Sequence, residues 1–274
     1  MSQSHVLQQH IEQLKEIRSI LHALKNMAYM EIHKLTKNRQ TQRLIVQHIE
    51  TVAADFLKFN PGVPILKPGH PTVIIVIGSE RGFCGNFNKS LIDQLLSISP
   101  DIVIAVGSRL CSSLHHTQIQ YSELMGANSF EEISQILENL GNVISKLQDQ
   151  HQVFSLSVLF HQDEHLETSL QSLIPPFNNV PAQHTIHTIE PLLNLEPPQF
   201  LLELVEHYLL SSLQDILYAS LTSENIHRIQ HLDNAVRHLD QTTEKIHKKS
   251  QIFRQEEITE EIEVILLNVE NQSI

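Results

Sequence analysis

The two ends of the chain carry long-range patterns of apolar positions. From residue 199 to about residue 269, apolar side chains recur at steps of three and four, which predicts one continuous helix with an apolar stripe. The stripe consists of Ile226, Ile229, Leu232, Val236, Leu239, Ile246 and Phe253, with Thr243 and Ser250 at two polar steps. A helix of about 70 residues would reach roughly 100 Å, more than a globular domain needs. This length predicts a helix that lies along a partner helix.

The first 60 residues carry a second stripe. Its members are Leu7, Leu14, Ile17, Leu21, Leu24, Ala28 and Leu35, followed by Ile45, Ile49, Val52 and Phe56. All 8 Gly and 11 Pro fall between Pro61 and Pro198, so neither end contains a helix breaker. Residues 1–60 carry 8 Lys or Arg against 5 Asp or Glu, whereas residues 199–274 carry 6 against 13. The pattern favours an antiparallel coiled coil; the alternative is that each helix packs separately onto a core.

Between the two helices the pattern changes. Residues 61–71 are rich in Pro and Gly and form a linker. Residues 72–77 and 101–107 are β-branched runs typical of strands buried on both faces of a parallel sheet. An amphipathic segment lies between them, and the order strand, helix, strand predicts a right-handed βαβ unit.

The rest of the middle region predicts further elements of the same domain. A helix is expected near residues 130–147, a strand at 154–160 and an edge strand at 184–189, inside the Pro- and Asn-rich segment 175–198. The predicted fold is therefore α/β: a long antiparallel two-helix coiled coil of the N- and C-terminal helices, with an inserted small doubly wound, Rossmann-like α/β domain. The predicted boundaries are 1–60 for the first helix, 61–198 for the inserted domain and 199–274 for the last helix.

Composition narrows the class of protein. A hydrophobic content of 41% and a charged content of 18% are typical of a folded chain. The net charge of −12 argues against a nucleic-acid binder, which needs a basic surface. No run is apolar enough to span a membrane, and the polar N-terminus does not resemble a signal peptide, so we expect a cytosolic protein unless a partner holds it at a membrane. Cys84 and Cys111 are expected to be free thiols.

The loop at residues 78–88 lies where an α/β fold would bind a phosphate, between a strand and the N-terminus of a helix. Its glycines are Gly78, Gly82 and Gly85, which match neither G-x-G-x-x-G nor the P-loop pattern. The loop is therefore interpreted as a turn required for geometry or for protein contact.

The sequence offers candidates for a metal site and for nucleophilic catalysis. His161 and His165, with Asp163 and Glu164, have a spacing that could face one way, but a third ligand is missing and surface histidines are the favoured interpretation. No Ser-His-Asp or Cys-His arrangement can be assembled, and Cys84 has only Arg81 as a basic neighbour in sequence. We therefore predict no catalytic residue, no cofactor and no metal.

The end of the last helix combines charge with apolar character. Glu256, Glu257, Glu260, Glu261 and Glu263 are interpreted as a solvated helix face. The segment 264–269 beyond them is apolar, which is unusual for a free end. Such a terminus predicts a position inside a sleeve of other subunits.

Three motifs resemble those of one known family. The run Ala219-Ser-Leu-Thr-Ser-Glu224 with Arg228 and Leu232-Asp-Asn-Ala235, and the later Arg254-Gln255 with Ile258-Thr259-x-Glu261-Ile262, resemble the γ subunit of F-type ATP synthases. So does Ser79-Glu-Arg-Gly-Phe-Cys-Gly-Asn-Phe-Asn88, which is similar to the family pattern S-[DE]-[RK]-G-[LF]-C-G-x-[FL]-N. The resemblance covers essentially the whole chain.

The first helix departs from the usual pattern. Where ordinary γ subunits have I-T-K-A-M-K-M-V-A, this chain has Ile20-Leu-His-Ala-Leu-Lys-Asn-Met-Ala28. Ile20, Ala23, Lys25 and Ala28 match, whereas the Thr, the first Lys and both Met are replaced. The run Leu-Lys-Asn-Met-Ala-Tyr-Met is similar to the γ subunit of N-type F-ATPases, a group proposed to move sodium ions. The coupled ion itself is chosen by membrane-ring residues that this chain does not contain.

The resemblance implies a rotor of the central stalk without an active site of its own. The paired helices would enter a ring of three α and three β subunits, and the α/β domain would seat on the ε subunit and the membrane c-ring, at the cytoplasmic face of the cell membrane. Neither nucleic-acid binding nor insertion into the membrane is implied. The implied β-subunit contacts are Lys25, Arg254 and Gln255, the contacts at the foot of the stalk are Glu80, Arg81, Gly82 and Asn88, and the apolar bearing is formed by Ile262, Val264, Ile265 and Leu266.

Two other classes of protein remain as alternatives. Composition alone would allow a coiled-coil scaffold or adaptor with an inserted α/β module. The doubly wound domain would also allow a nucleotide-binding enzyme. Nucleotide binding by the isolated chain separates the enzyme from the other two, and assembly with α and β subunits separates the scaffold from the rotor.

Overall fold

Two long helices dominate the computed structural model, which describes residues 3–63, 69–151, 153–162, 167–177 and 191–272, with side chains at the C-terminal end only as far as residue 266. Helix α1 spans Gln3–Phe59 and the last helix spans Pro197–Gln272. The last helix begins with two prolines, which are tolerated in a first turn because its N–H groups have no partner within the helix. A long helix at each end confirms this part of the predicted fold class.

The middle of the chain forms an α/β arrangement. Its elements, in chain order, are β1 (Thr72–Ile77), α2 (Phe87–Ile98), β2 (Ile102–Val106), α3 (Ser108–Leu114), β3 (Ser122–Leu124), a 3-10 turn (Phe130–Glu132), α4 (Ile133–Gln150), β4 (Ser155–Gln162) and β5 (Glu167–Ile174), so the last helix is α5. Among the described residues the strands form one sheet in the order β3-β2-β1-β4-β5. Strands β3, β2, β1 and β4 are parallel, and β5 is antiparallel to β4.

The central strand β1 explains why the sheet is buried on both faces. Successive side chains of a strand point to opposite faces, so an entirely apolar strand requires two apolar layers. Val73, Ile75 and Ile77 join a core with residues of α4, β4 and α5, whereas Ile74 and Val76 join a second core with α2 and α3. Helices on both faces of a mostly parallel sheet confirm the predicted doubly wound arrangement.

The chain divides into two compact units. The first comprises Met1–Met27 and Ile229–Ile274, and the second comprises Ala28–Arg228. In the first unit the two helices run antiparallel, because Arg18 pairs with Asp240 (2.6 Å) and Lys25, one heptad later, pairs with Asp233 (2.7 Å), one heptad earlier. Its core combines three buried side chains with three partly buried ones: Leu21, Leu232, Val236, Leu24, Ala235 and Leu239. These contacts are those expected of the predicted coiled coil.

In the second unit, residues of both long helices pack onto the sheet. Leu35 of α1 and Leu213 of α5 are buried in the same core as Ile75 and Val158. A smaller cluster joins Ala53 of α1 to residues of the first turns of α5. In this unit the two helices therefore pack onto the sheet and also contact each other.

Three elements were not predicted from the sequence: α3, β3 and β5. Helix α3 has only 7 residues, and β3 has only 3. Strand β5, the antiparallel edge of the sheet, alternates poorly between buried and exposed side chains, so its hydrophobic pattern is weak. The edge strand predicted at residues 184–189 lies outside the described residues.

Candidate functional site

The loop at residues 78–88 leaves the carboxyl end of β1 and enters α2, and Asn88 closes it. The side-chain oxygen of Asn88 accepts a hydrogen bond from the Ser79 backbone N–H (2.9 Å), and its amide donates to the Ser79 hydroxyl (2.9 Å). Gly78 is required at the start, because an added Cβ would lie 2.4 Å from the Cβ of Leu110. Phe83 has a positive φ of 65° although it is not glycine, so the loop holds a strained conformation.

A buried ion pair of α5 lies directly against this loop. Glu224 accepts hydrogen bonds from the backbone N–H groups of Glu80 and Arg81, both at 3.4 Å. Arg228, one turn later, donates to Glu224 and to the carbonyl of Gly82 (3.3 Å). Asn225 completes the cluster by accepting from the same guanidinium at 2.7 Å. The two sequence motifs, the loop and the Thr-Ser-Glu-Asn run of α5, are therefore two halves of one site.

This cluster explains the electrostatics of the loop. Burial raises the pKa of Glu224, while the Arg228 cation and the two backbone N–H groups act in the opposite direction. Burial and the nearby Glu224 carboxylate also raise the pKa of the Cys84 thiol to about 12. Because the thiolate is the nucleophile, Cys84 is a poor candidate for thiol chemistry at neutral pH.

The Glu224 carboxylate lies where a nucleotide phosphate could otherwise bind. In nucleotide-binding proteins with a doubly wound fold, the backbone N–H groups after the first strand bind phosphate. Here those of Glu80 and Arg81 donate to Glu224 instead, and that of Ser79 donates to Asn88. An internal carboxylate thus satisfies the donors that a nucleotide phosphate would require.

The four residues predicted at the foot of the stalk differ in their surroundings. Both oxygens of the Glu80 carboxylate accept internal hydrogen bonds, from the backbone and hydroxyl of Ser108 (2.8 and 2.6 Å) and from the backbone of Gly126 (2.8 Å). Arg81 is exposed and donates to the side chain of Asn128 at 2.8 Å. Gly82 is half-buried beside Arg109, and Asn88 is the residue that closes the loop. Glu80 and Asn88 hold the shape of the loop, and Arg81 points its charge outward.

Lys25, Arg254 and Gln255, predicted to contact β subunits, all lie in the first unit. The Lys25 ammonium is paired with Asp233, and this hydrogen bond lowers the pKa of Asp233. Arg254 and Gln255 are exposed on α5. The residues predicted to form an apolar bearing are also exposed, by 52 to 61%: Ile262, Val264, Ile265 and Leu266. Four neighbouring apolar side chains left in water on one helix are a feature of a binding surface.

The histidine pair considered as a metal site is not a surface feature. His161 lies on β4 with 1% exposure, and its Nε2 is 2.8 Å from the carbonyl of Phe87 and 3.1 Å from the Ser90 hydroxyl. The favoured interpretation of a surface residue is therefore wrong for His161, because its ring packs against Phe87 and His227. Asp163, Glu164 and His165 lie outside the described residues. In the parts of the chain that are described, no three His, Cys, Asp or Glu side chains are grouped so as to hold a metal ion.

Sequence reasoning found both motifs but missed their contact. The available signal was a charged pair four residues apart, Glu224 and Arg228, shortly after the apolar helix positions Leu213, Ile216, Leu217 and Leu221. Charged residues that follow the period of a buried helix face are expected to pair with each other. The role of His227, which packs on Phe87 at 5.2 Å between ring centroids, had no signal in the local sequence.

Within the described residues, no helix combines the length and the apolar content that crossing a membrane requires.

Comparisons with known proteins agree along the whole chain. A family model described as ATP synthase matches residues 3–270. The ATP synthase gamma chain of Clostridium botulinum (strain Langeland) is 21% identical over 280 residues, covering 97% of this chain and 97% of that relative. The ATP synthase gamma chain of Lachnoclostridium phytofermentans is 22% identical and covers 93% and 94% of the two chains.

Solved structures show the same fold. The rotor of the Euglena gracilis mitochondrial ATP synthase has a TM-score of 0.61 at 13% identity, covering 93% of this chain and 98% of that one. The central stalk and c-ring structure of the Tetrahymena thermophila mitochondrial ATP synthase contains a chain with a TM-score of 0.55 at 17% identity, covering 79% and 99%. At these identities the structural likeness concerns the fold.

Proposed function

This chain belongs to the ATP synthase family, and we propose that it is the gamma subunit, the rotor of the central stalk. The observation that carries the proposal is the family match over residues 3–270, and a gamma chain that is 21% identical over 97% of both chains supports it. The antiparallel helix pair of the first unit and the α/β sheet of the second are the two parts that such a rotor needs. As the rotor turns, it would present different side chains to each of its partners, so nucleotide affinity at a distant site depends on rotor angle.

The first unit is proposed to contact the ring of α and β subunits. Arg254 and Gln255 are exposed on α5, where they can donate hydrogen bonds to loops of a β subunit. Lys25 is held by Asp233 with only 20% of its side chain exposed, so its contact with a β subunit would be made together with that carboxylate. The exposed apolar residues Ile262, Val264, Ile265 and Leu266 would turn within an apolar sleeve of the ring.

The second unit is proposed to seat on the ε subunit and the c-ring. Arg81, Gly82, Glu80 and Asn88 belong to the loop that would make this contact. Among them Arg81 has its charge directed outward, whereas Glu80 and Asn88 support the loop from within. Attachment through the c-ring would place the chain at the cytoplasmic face of the cell membrane as a peripheral subunit, without insertion into the bilayer.

The gamma subunit is part of an ATPase complex, and we propose that this chain has no active site of its own. Support comes from Glu224, which occupies the N–H groups that a phosphate would use in a doubly wound fold. The β and α subunits would then bind and convert the nucleotide. The coupled ion follows from the membrane ring, and the resemblance of residues 24–30 to N-type enzymes stays a prediction.

Replacing Arg254 and Gln255 together by alanine tests the proposed ring contact. In an assembly with α and β subunits, we expect ATP turnover to fall several-fold, because contacts that couple the rotor to the β subunits are lost. The thermal unfolding of the isolated chain should not change, since both side chains are exposed. The matched control is Lys146→Ala, because Lys146 is an exposed cation on α4. This variant should leave turnover intact. Unchanged turnover in the double variant would remove the proposed role.

A further inference from the structure

A cleft lies between α1 and α5 in the second unit, and its lining residues differ from those proposed to contact the ring and the foot of the stalk. Its volume is ≈ 270 Å³. The polar side chains that line it are Thr36, Arg39, Gln40, Arg43 and Thr222. Its apolar wall is formed by Ile32 and Ile226. A small cleft that combines convergent polar groups with an apolar wall has the composition of a ligand site.

The charges around the cleft are unequal. Arg39 is paired with Asp215, at 3.4 Å between Nε and Oδ1. Burial and the neighbouring Arg43 cation both lower the pKa of Arg39, although Asp215 acts against them. The described side chains that line the cleft include two guanidinium groups and no carboxylate, which is an excess of positive charge in its lining.

The Asp215 carboxylate does not remove this excess. It is half-buried, and burial raises its pKa, while Arg39 and Arg43 act in the opposite direction. A second anion beside Arg43 would be attracted by both guanidinium groups, because opposite charges at short range are favourable in a partly desolvated site, and its repulsion from Asp215 is the cost of binding there. Arg43 itself is exposed, so an anion can reach it from solvent.

We propose that this cleft binds a phosphate group, either free phosphate or the phosphate of a small organic molecule. Guanidinium groups donate paired hydrogen bonds to phosphate oxygens, and the Gln40 amide provides a further donor. Ile32 and Ile226 offer an apolar surface to the organic part of a phosphate monoester. The site does not depend on the rotor function, since all its residues belong to the unit Ala28–Arg228.

Equilibrium dialysis of the full chain with radiolabelled inorganic phosphate tests the proposal. We expect saturable binding of one phosphate per chain, which persists when sodium chloride is varied at constant phosphate. Arg43→Gln should weaken binding at least tenfold without unfolding the chain, because its side chain is exposed. The control is Arg109→Gln, because Arg109 is an exposed arginine outside the cleft. This variant should bind phosphate as the parent chain does.

The source of the phosphate group is identified by competition. If unlabelled glycerol 3-phosphate displaces the label at lower concentration than phosphate does, the cleft prefers an organic phosphate; if not, it prefers free phosphate. The proposal is overturned if no saturable binding occurs, or if Arg43→Gln binds as the parent does. It is also overturned if Arg109→Gln loses binding equally, since the effect would then reflect total charge.

Discussion

At the scale of single residues, the pair of Glu224 and Arg228 determines how the loop at residues 78–88 is held. Both side chains are more than nine-tenths buried. Removing one member of a buried pair leaves an uncompensated charge, whereas replacing both by neutral groups of similar shape is far less costly. The pair therefore matters to this chain mainly through the loop that it organises, since the same two side chains reach Glu80, Arg81 and Gly82.

We predict strong coupling between Glu224 and Arg228 in a double-mutant cycle. Glu224→Gln and Arg228→Met should each lower the free energy of unfolding by about 3 kcal/mol or more. The double variant should lose less than the sum of the two, by about 2 kcal/mol, in urea unfolding monitored by circular dichroism. Glu244 and Lys248 have the same spacing on the same helix but are about 70% exposed, and their cycle should show little coupling. Additive losses at Glu224 and Arg228 would contradict the predicted coupling between them.

We predict that His227 lowers the free energy of unfolding in acid. Burial and the neighbouring His161 lower its pKa from 6.5 to about 4. Between pH 6.5 and pH 4 the unfolded chain therefore binds a proton that the folded chain does not, so the free energy of unfolding falls as pH falls through this window. Above pH 6.5 the two states bind equally and the effect is absent.

The variant His227→Phe, which keeps an aromatic ring against Phe87, should lose less stability between pH 6.5 and pH 4 than the parent chain does. The measurement is the midpoint of urea unfolding at several pH values. His207→Phe is the control, because His207 is exposed on the same helix. An equal slope for His227→Phe and the parent would show that His227 does not carry the acid sensitivity.

At the scale of elements, the apolar steps along α1 and α5 are used in two ways. In the first unit they form the contact between the helices, with Leu232 completely buried beside Leu21 and Val236. In the second unit, Leu35 and Leu213 contribute to the core of the sheet. The same spacing of three and four can face a helix or a sheet. The pattern therefore predicted long helices correctly but could not tell which of their residues also pack on the sheet.

The buried and exposed leucines of α5 give a prediction for the helix pair. Leu232→Ala should lower the free energy of unfolding of the first unit by about 2 to 5 kcal/mol, because the cavity left by a buried leucine is not refilled. Leu266→Ala, where the side chain is 59% exposed, should not change the stability of the isolated chain. Thermal unfolding of both variants is the test, and a loss at Leu266 as large as that at Leu232 would contradict the proposed division.

The sheet shows what local sequence can and cannot predict. β1 and β2 were predicted because buried parallel strands are continuous β-branched runs. β5 was missed because an edge strand needs no such run, and its partner β4 supplies the hydrogen bonds. The hydrogen bonds between the loop and Glu224 join residues more than 140 positions apart in the chain. A single sequence carries no signal for a contact at that separation. The two motifs could be predicted as functional, but not as one site.

At the scale of the whole molecule, we propose that the partner subunits carry out the chemistry and that this chain carries the motion. The first unit carries the exposed groups proposed to meet the ring, and the second carries the loop proposed to meet the foot. The scaffold alternative predicts binding without rotation, and the enzyme alternative predicts nucleotide binding by the isolated chain. All three are separated by a single assembly of this chain with the α and β subunits of the same organism.

The most direct test is rotation of that assembly, immobilised by its ring, with a bead attached to the variant Lys89→Cys. Lys89 is exposed, whereas the natural thiols Cys84 and Cys111 are buried, so labelling would be specific. We expect that the isolated chain hydrolyses no ATP and that in the assembly the bead turns in one direction when ATP is supplied. Hydrolysis by an assembly whose bead stays still, or failure of the chain to join the ring, would contradict the assignment of this chain as the rotor.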